Sequence, residues 1–568
     1  MDRIASGLHF LENFMSQSIG PQMRATSEPV LVLVSRTVQF SSSARHETNV
    51  AIRSGRRQTQ SQQATAMEKA RKKMKKLSIA LTLGFALMVT ATARAQNNSE
   101  LKGDYAFSFT GMTTGDGSAS TPFAAVGRFT ADGAGNLPIG ELDSNGLGVS
   151  LAGVEKAVAL AFTGTYSIGA DHRGVMNLNI PGGGTLAFAM MANGNAKFVE
   201  IDASGGHGTV GSGTMEKVDT TAYSTAKITG DYAFGVSGFD QSNNRTAMAG
   251  RFTANGTGTF TNGAADINLS GTFSTLNVFA GSYMVTDGAT GRGILNMPPV
   301  VGGTPINLDF VFYVVNAGKV FAMEMDALSP ATPLLTGVAL QQQTPAIVGF
   351  TNASLNGGMV MYGSGGTGGT GGPGPEGGLL TADGIGMLQV DFNGVCWAEG
   401  GGSGTYTVAS NGRTAIRAGG GYAAAYLVGS NEAFFILPDS CASFGFGEPQ
   451  APGTITNSAI AGNYAGSTAI PTNVRDVIFS GEFTADGASP TGNISGIEDI
   501  GSAIGGSLGV VANATYSISS PSVNGKGSWY VNGYLAGIVY VISPSKFVVL
   551  LLWDPSASTN RSLLIFER

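Results

Sequence analysis

Acidic side chains recurring at matching places are the residues of this chain best suited to chemistry. Glu141 and Asp143 stand two apart, on one face if they lie on a strand, and the acidic position returns as Asp266, Asp391 and Asp499, the last beside Glu498. A second set is Glu200 with Asp202, Glu324 with Asp326, then Asp439 and Asp554. Paired carboxylates hydrolyse glycosides when they flank the bond across a cleft, and neighbours on one strand do not by themselves make acid and nucleophile. Aspartates recurring at fixed places also suit strand-end turns, where they cap the backbone. Asp143-Ser144-Asn145-Gly146 clusters oxygen donors near glycine, but calcium wants about six to eight oxygens. The expectation is structural carboxylates, with no catalytic, cofactor or metal residue assigned; Glu141, Asp143, Glu200 and Asp202 are the candidates if the chain is an enzyme.

Beyond residue 95 the histidines are His172 and His207, so a Ser-His-Asp or Cys-His site would be confined to one region. The two cysteines, Cys396 and Cys441, are expected to pair in an exported protein, with two buried thiols as the alternative. A metal site there is disfavoured because no histidine or further cysteine lies near at ligand spacing.

The elements that must position these residues repeat four times. Gly127-Arg128-Phe129-Thr130-Ala131-Asp132-Gly133 returns as Gly250-Arg251-Phe252-Thr253-Ala254-Asn255-Gly256, as Leu379-Leu380-Thr381-Ala382-Asp383-Gly384 and as Gly481-Glu482-Phe483-Thr484-Ala485-Asp486-Gly487. Openings at Leu101, Ile228, Leu355 and Ile460 lie 127, 127 and 105 residues apart, long enough for each copy to hold its own core. A second marker follows in each: Gly164-Thr165-Tyr166-Ser167-Ile168, Gly281-Ser282-Tyr283, Gly404-Thr405-Tyr406 and Ala514-Thr515-Tyr516. Near the end of the first copy Leu186, Phe188 and Met190 alternate up to the turn Asn193-Gly194, a hairpin signal. Arg173-Gly174 and Arg292-Gly293 read as turn exits, not a phosphate cradle, because no helix start follows them.

Helix periodicity is nearly missing, and 85 glycines suit many tight turns. We expect an all-β chain of four small antiparallel domains, each an up-and-down barrel of about eight strands and lipocalin-like in shape. A β-sandwich is the alternative. The expected boundaries are 96–226, 227–347, 348–457 and 458–568. The glycine-rich stretch from Gly363 to Gly378 reads as a loop inside the third copy.

Residues 67–95 read as a signal peptide: a basic start, an apolar run from Leu77 to Thr90, then Ala93-Arg94-Ala95 before cleavage ahead of Gln96. Residues 1–66 would precede it, either as a start assigned too early or as a disordered extension. Residues 1–95 hold 14 basic and 5 acidic residues of the chain's 32 and 38, leaving 18 and 33 and a net charge near −15. Such acidity excludes nucleic acid as a partner. No later run is apolar and long enough for a transmembrane helix. Export places the protein in the periplasm, on the cell surface or outside.

Gly-Asp-Tyr-Ala-Phe at Gly103, the Gly-Arg-Phe-Thr-Ala-Asp-Gly-Ala-Gly-Asn run at Gly127 and Gly-Thr-Tyr-Ser-Ile at Gly164 resemble exported bacterial tandem-repeat proteins, mostly uncharacterised. The resemblance spans about residues 101–568 and implies secretion and repetition, with no functional residue to carry over. Copy three departs from it with Met359 in place of tyrosine, and copy four with Ala488-Ser489-Pro490-Thr491 after the turn. The residues leave three functions: a non-catalytic exported scaffold or adhesive protein binding a polysaccharide, a cell-surface component or another protein; a carrier of small apolar ligands inside the barrels, with Tyr105, Phe107 and Phe109 as its lining; and a carbohydrate hydrolase. The first is expected.

Overall fold

Alternating apolar strands joined by Asx turns build four closed barrels, each of eight antiparallel strands in simple up-and-down order, the first strand pairing with the last. The computed structural model describes residues 97–568 apart from 114–120, 147–155, 182–183, 202–208, 299, 302–303, 306–307, 330–331, 346–347, 367–373, 395, 397–399, 470–476, 503–504, 519–523 and 553–561. The expected signal peptide, the segment before it, Asp202, His207 and Asp554 lie outside the described residues. Barrel strands run over 102–217, 229–341, 356–449 and 462–567. No helix among the described residues is long and apolar enough to cross a membrane.

The repeated motifs have local structural duties. Phe-Thr-Ala-Asp-Gly forms the turn between the second and third strands: Asp132 Oδ1 accepts from the amides of Ala134 at 2.6 Å and Asn136 at 3.0 Å, while Gly133 takes φ +79°. Asp383 and Asp486 do the same in their copies, as does Asn255. Asp104 accepts from Arg128 at 2.9 Å and Thr130 at 2.5 Å across the first two strands, and Asp231 binds Arg251 and Thr253 likewise. The marker tyrosines tie a short 3-10 turn over one end of the barrel: Tyr166 donates to Leu101 O at 2.6 Å, Tyr283 to Ile228 O at 2.6 Å and Tyr406 to Leu355 O at 2.8 Å. In the third copy Cys396 and Cys441 form a disulfide.

Each barrel buries its own core, and Tyr105, Phe107 and Phe109 belong to that of the first. Tyr105 stacks on Phe129 at 5.4 Å and Phe109 on Phe198 at 6.0 Å. Second cores lie between barrels. The outer faces of strands one and two pack against strands six and seven of the next barrel: Ala106, Ala124 and Val126 against Val311, Tyr313 and Phe321; Ala233, Ala247 and Ala249 against Ala424, Tyr426 and Phe434; Val360 and Leu379 against Tyr540 and Val548. Ile478 of the fourth barrel packs on Ala187 and Val199 of the first. The order one to two, two to three, three to four and four to one closes a ring.

Candidate functional site

The recurring acids sit on the third strand of each barrel and point into the next one. Asp143 is fully buried and accepts from Arg292 Nε and Nη2, both at 2.8 Å, and from the Tyr313 hydroxyl at 2.8 Å. Asp266 repeats this with Arg413 at 2.9 Å and Tyr426 at 2.7 Å. Asp391 binds Lys526 at 2.6 Å, with Tyr540 donating to Asn393 at 2.8 Å. Asp499 closes the ring on Arg173 of the first barrel. Two residues on, Asn145 donates to the carbonyls of Glu324 and Asp326, both at 3.0 Å, and Asn268 to those of Leu437 at 2.7 Å and Asp439 at 2.8 Å. In the fourth copy Gly501 stands there instead, and a Cβ on it would lie 2.1 Å from Glu200 O. A larger residue cannot fit that joint.

The charges suit these roles. The bidentate bond to Asp143 holds the Arg292 guanidinium further into its charged form, and Asp266 does so for Arg413. Burial, then the facing aspartate, drives Tyr313 and Tyr426 upward, so both remain hydroxyl donors. Glu324 is fully buried in the first joint; burial pushes it up to about 9, and its Oε1 accepts from the Asp326 amide at 2.7 Å.

Of the sequence candidates, Glu141 and Asp143 do share a face, and both accept from Tyr313, at 3.2 and 2.8 Å. Glu200 lies far from them in the chain, on the seventh strand of the same barrel, opposite Leu186. His172 is exposed, with Nδ1 2.9 Å from Glu100 Oε2. The partners that sequence reasoning missed are Arg173, Arg292, Arg413 and Lys526, together with Tyr313, Tyr426 and Tyr540. The Arg-Gly dipeptides taken for turn exits open the fifth strand and anchor the joints. Their signal was present: a basic residue opens the fifth strand of every copy.

Where the four barrels meet, their first and last strands line a central cavity of about 390 Å³. By contrast, the space detected inside the second barrel is about 40 Å³. Three lysines near the cavity are tied to the neighbouring barrel: Lys319 to Glu216 at 2.7 Å, Lys546 to Glu448 at 2.6 Å and Lys197 to Glu567 at 3.6 Å. The joint between barrels two and three departs, with Leu340 in place of the glutamate and Glu432 in place of the lysine. Its aromatic packing is close, because a Cβ on Gly235 would fall 2.3 Å from the Phe434 ring. No known protein family matches the chain, and no curated protein gives a significant match to it.

Proposed function

We propose that this protein is a non-catalytic exported binding scaffold, a single four-barrel body that presents its outward loops to a polysaccharide, a cell-surface component or another protein. One observation carries the reading: the acidic position shared by every copy is engaged in joining one barrel to the next, so the repetition maintains an assembly rather than a reactive set. The acidic composition and the signal-like residues 67–95 support export. The experiment is affinity electrophoresis of the full chain through gels that each contain one cell-wall or extracellular polysaccharide, with reducing ends assayed in parallel. Retardation without release of reducing ends is expected. Release of reducing ends that Glu141→Gln abolishes would overturn the reading in favour of a hydrolase. The interior space of the second barrel, about 40 Å³, speaks against a small-molecule site inside that barrel.

A further inference from the structure

The central cavity is lined by both hydroxyls and apolar side chains. Register pairs on the closing strands put Ser108 opposite Thr214 and Thr110 opposite Ser212 in the first barrel, and Ser237 opposite Thr336 in the second. The pair that matches Ser108 with Thr214 is Gly235 with Val338 in the second barrel, Tyr362 with Phe446 in the third and Ser467 with Ile565 in the fourth, and the pair that matches Ser237 with Thr336 is Ser364 with Phe444 in the third. Hydroxyls thus line the cavity from all four barrels, Ser108, Thr110, Ser212, Thr214, Ser237 and Thr336 from the first two and Tyr362, Ser364, Ser467, Thr468 and Ser562 from the others. An apolar stretch lies among them: Phe434 and Phe446 stand 4.9 Å apart, and Leu563 and Ile565 extend the apolar surface. The three lysines among its described lining residues are each paired with a glutamate of a neighbouring barrel, so none of them is left to attract an anionic ligand. At about 390 Å³ it falls within the roughly 300–1,000 Å³ of small-molecule sites.

We propose that this cavity binds one neutral small molecule with a flat apolar body and a hydroxyl or carbonyl edge, the body against Phe434 and Phe446 and the edge against Ser237 and Thr336. The inference goes beyond the scaffold reading and does not rest on it. It also differs from a carrier that uses barrel interiors, because that arrangement predicts one site per barrel and this one a single site per chain.

The test is a fluorescence titration of the full chain with 2-naphthol, using naphthalene as the comparator without a hydroxyl. Saturable binding of one 2-naphthol per chain is expected. Thr336→Val should weaken 2-naphthol about fivefold, the usual worth of one hydrogen bond, and leave naphthalene within about twofold. Ser108→Phe, which fills cavity space at the first barrel, should weaken both probes about tenfold or more. Absence of saturable binding, four equivalents per chain, or equal weakening of both probes by Thr336→Val would each overturn the proposal. If Ser108→Phe does not fold, the Thr336→Val comparison decides alone. None of these outcomes alters the polysaccharide test of the scaffold reading.

Discussion

Asp143 and Asp104 show how burial sets the worth of one charge. Asp143 is wholly enclosed between two barrels and faces Arg292, whereas the side chain of Asp104 is 30% exposed beside Arg128. Removing one partner of a buried pair strands the other, and typically costs about 3–5 kcal/mol, against about 1 kcal/mol or less for a pair in contact with water. Asp143→Asn should therefore lower unfolding free energy by about 3 kcal/mol and Asp104→Asn by no more than about 1 kcal/mol, measured by urea titration. Equal losses would mean that the joint carries no special share of stability. Three glutamates make stability depend on pH. Burial raises Glu324 to about 9, Glu482 to about 8 and Glu498 to about 7 in the folded protein, from an ordinary 4.5. Between those values the folded state holds more protons than the unfolded one, so stability declines as pH rises. Their contribution is complete below about pH 4.5 and is lost on passing through about 7 to 9. The melting temperature should fall on the order of 5 °C from pH 6 to pH 9, and Glu324→Gln should flatten the slope; an unchanged slope would exclude Glu324 as its source.

Strands and turns carry the same logic at the next scale. The fourth-strand tyrosine fastens the 3-10 turn that precedes its barrel, Tyr166 donating to Leu101 O at 2.6 Å and to Asn98 O at 3.0 Å. Tyr166→Phe leaves those carbonyls short of a donor in a buried place and should cost about 1–2 kcal/mol, read from thermal unfolding. A loss below a few tenths would mean that the turn is held by Asn98 alone, whose side chain accepts from the Ile168 amide at 2.9 Å. The barrel was legible in the sequence because inward positions such as Leu186, Phe188 and Met190 alternate up to a turn. The joints were not, since the periodic pattern of one strand describes only what that strand faces inside its own barrel. Yet the outer face left a trace: Phe310, Val311, Phe312, Tyr313, Val314 and Val315 form an unbroken apolar run, the signature of a strand buried on both sides. Asp143 was singled out correctly as a recurring acid, but its partner Arg292 lies 149 residues away, a separation that no local pattern reveals.

At the scale of the molecule, every joint is heterologous: each barrel offers an Asp on one side and a basic residue on the other, and in the first two joints small outer residues on the Asp side face larger apolar ones. Such an interface forms a ring when its rotation closes and an open filament when it does not. Here four joints close the ring, three of them between consecutive copies and the fourth through Asp499 and Arg173. The second barrel alone carries both halves of the joint, since its Asp266, Asn268, Ala247 and Ala249 match Asp143, Asn145, Ala124 and Val126 of the first, whose partners are its own Arg292 and Tyr313. Residues 227–347 expressed alone should therefore assemble into a closed ring of four copies, observed by native mass spectrometry. One ion pair would be missing in that ring, because Lys319, paired with Glu216 in the full chain, would meet Leu340. Leu340→Glu supplies the absent carboxylate and should tighten the assembly. A stable monomer at micromolar concentration, unchanged by Leu340→Glu, would show that the joints hold only when the chain tethers them, and that the ring arises from covalent order rather than from surfaces that recognise one another.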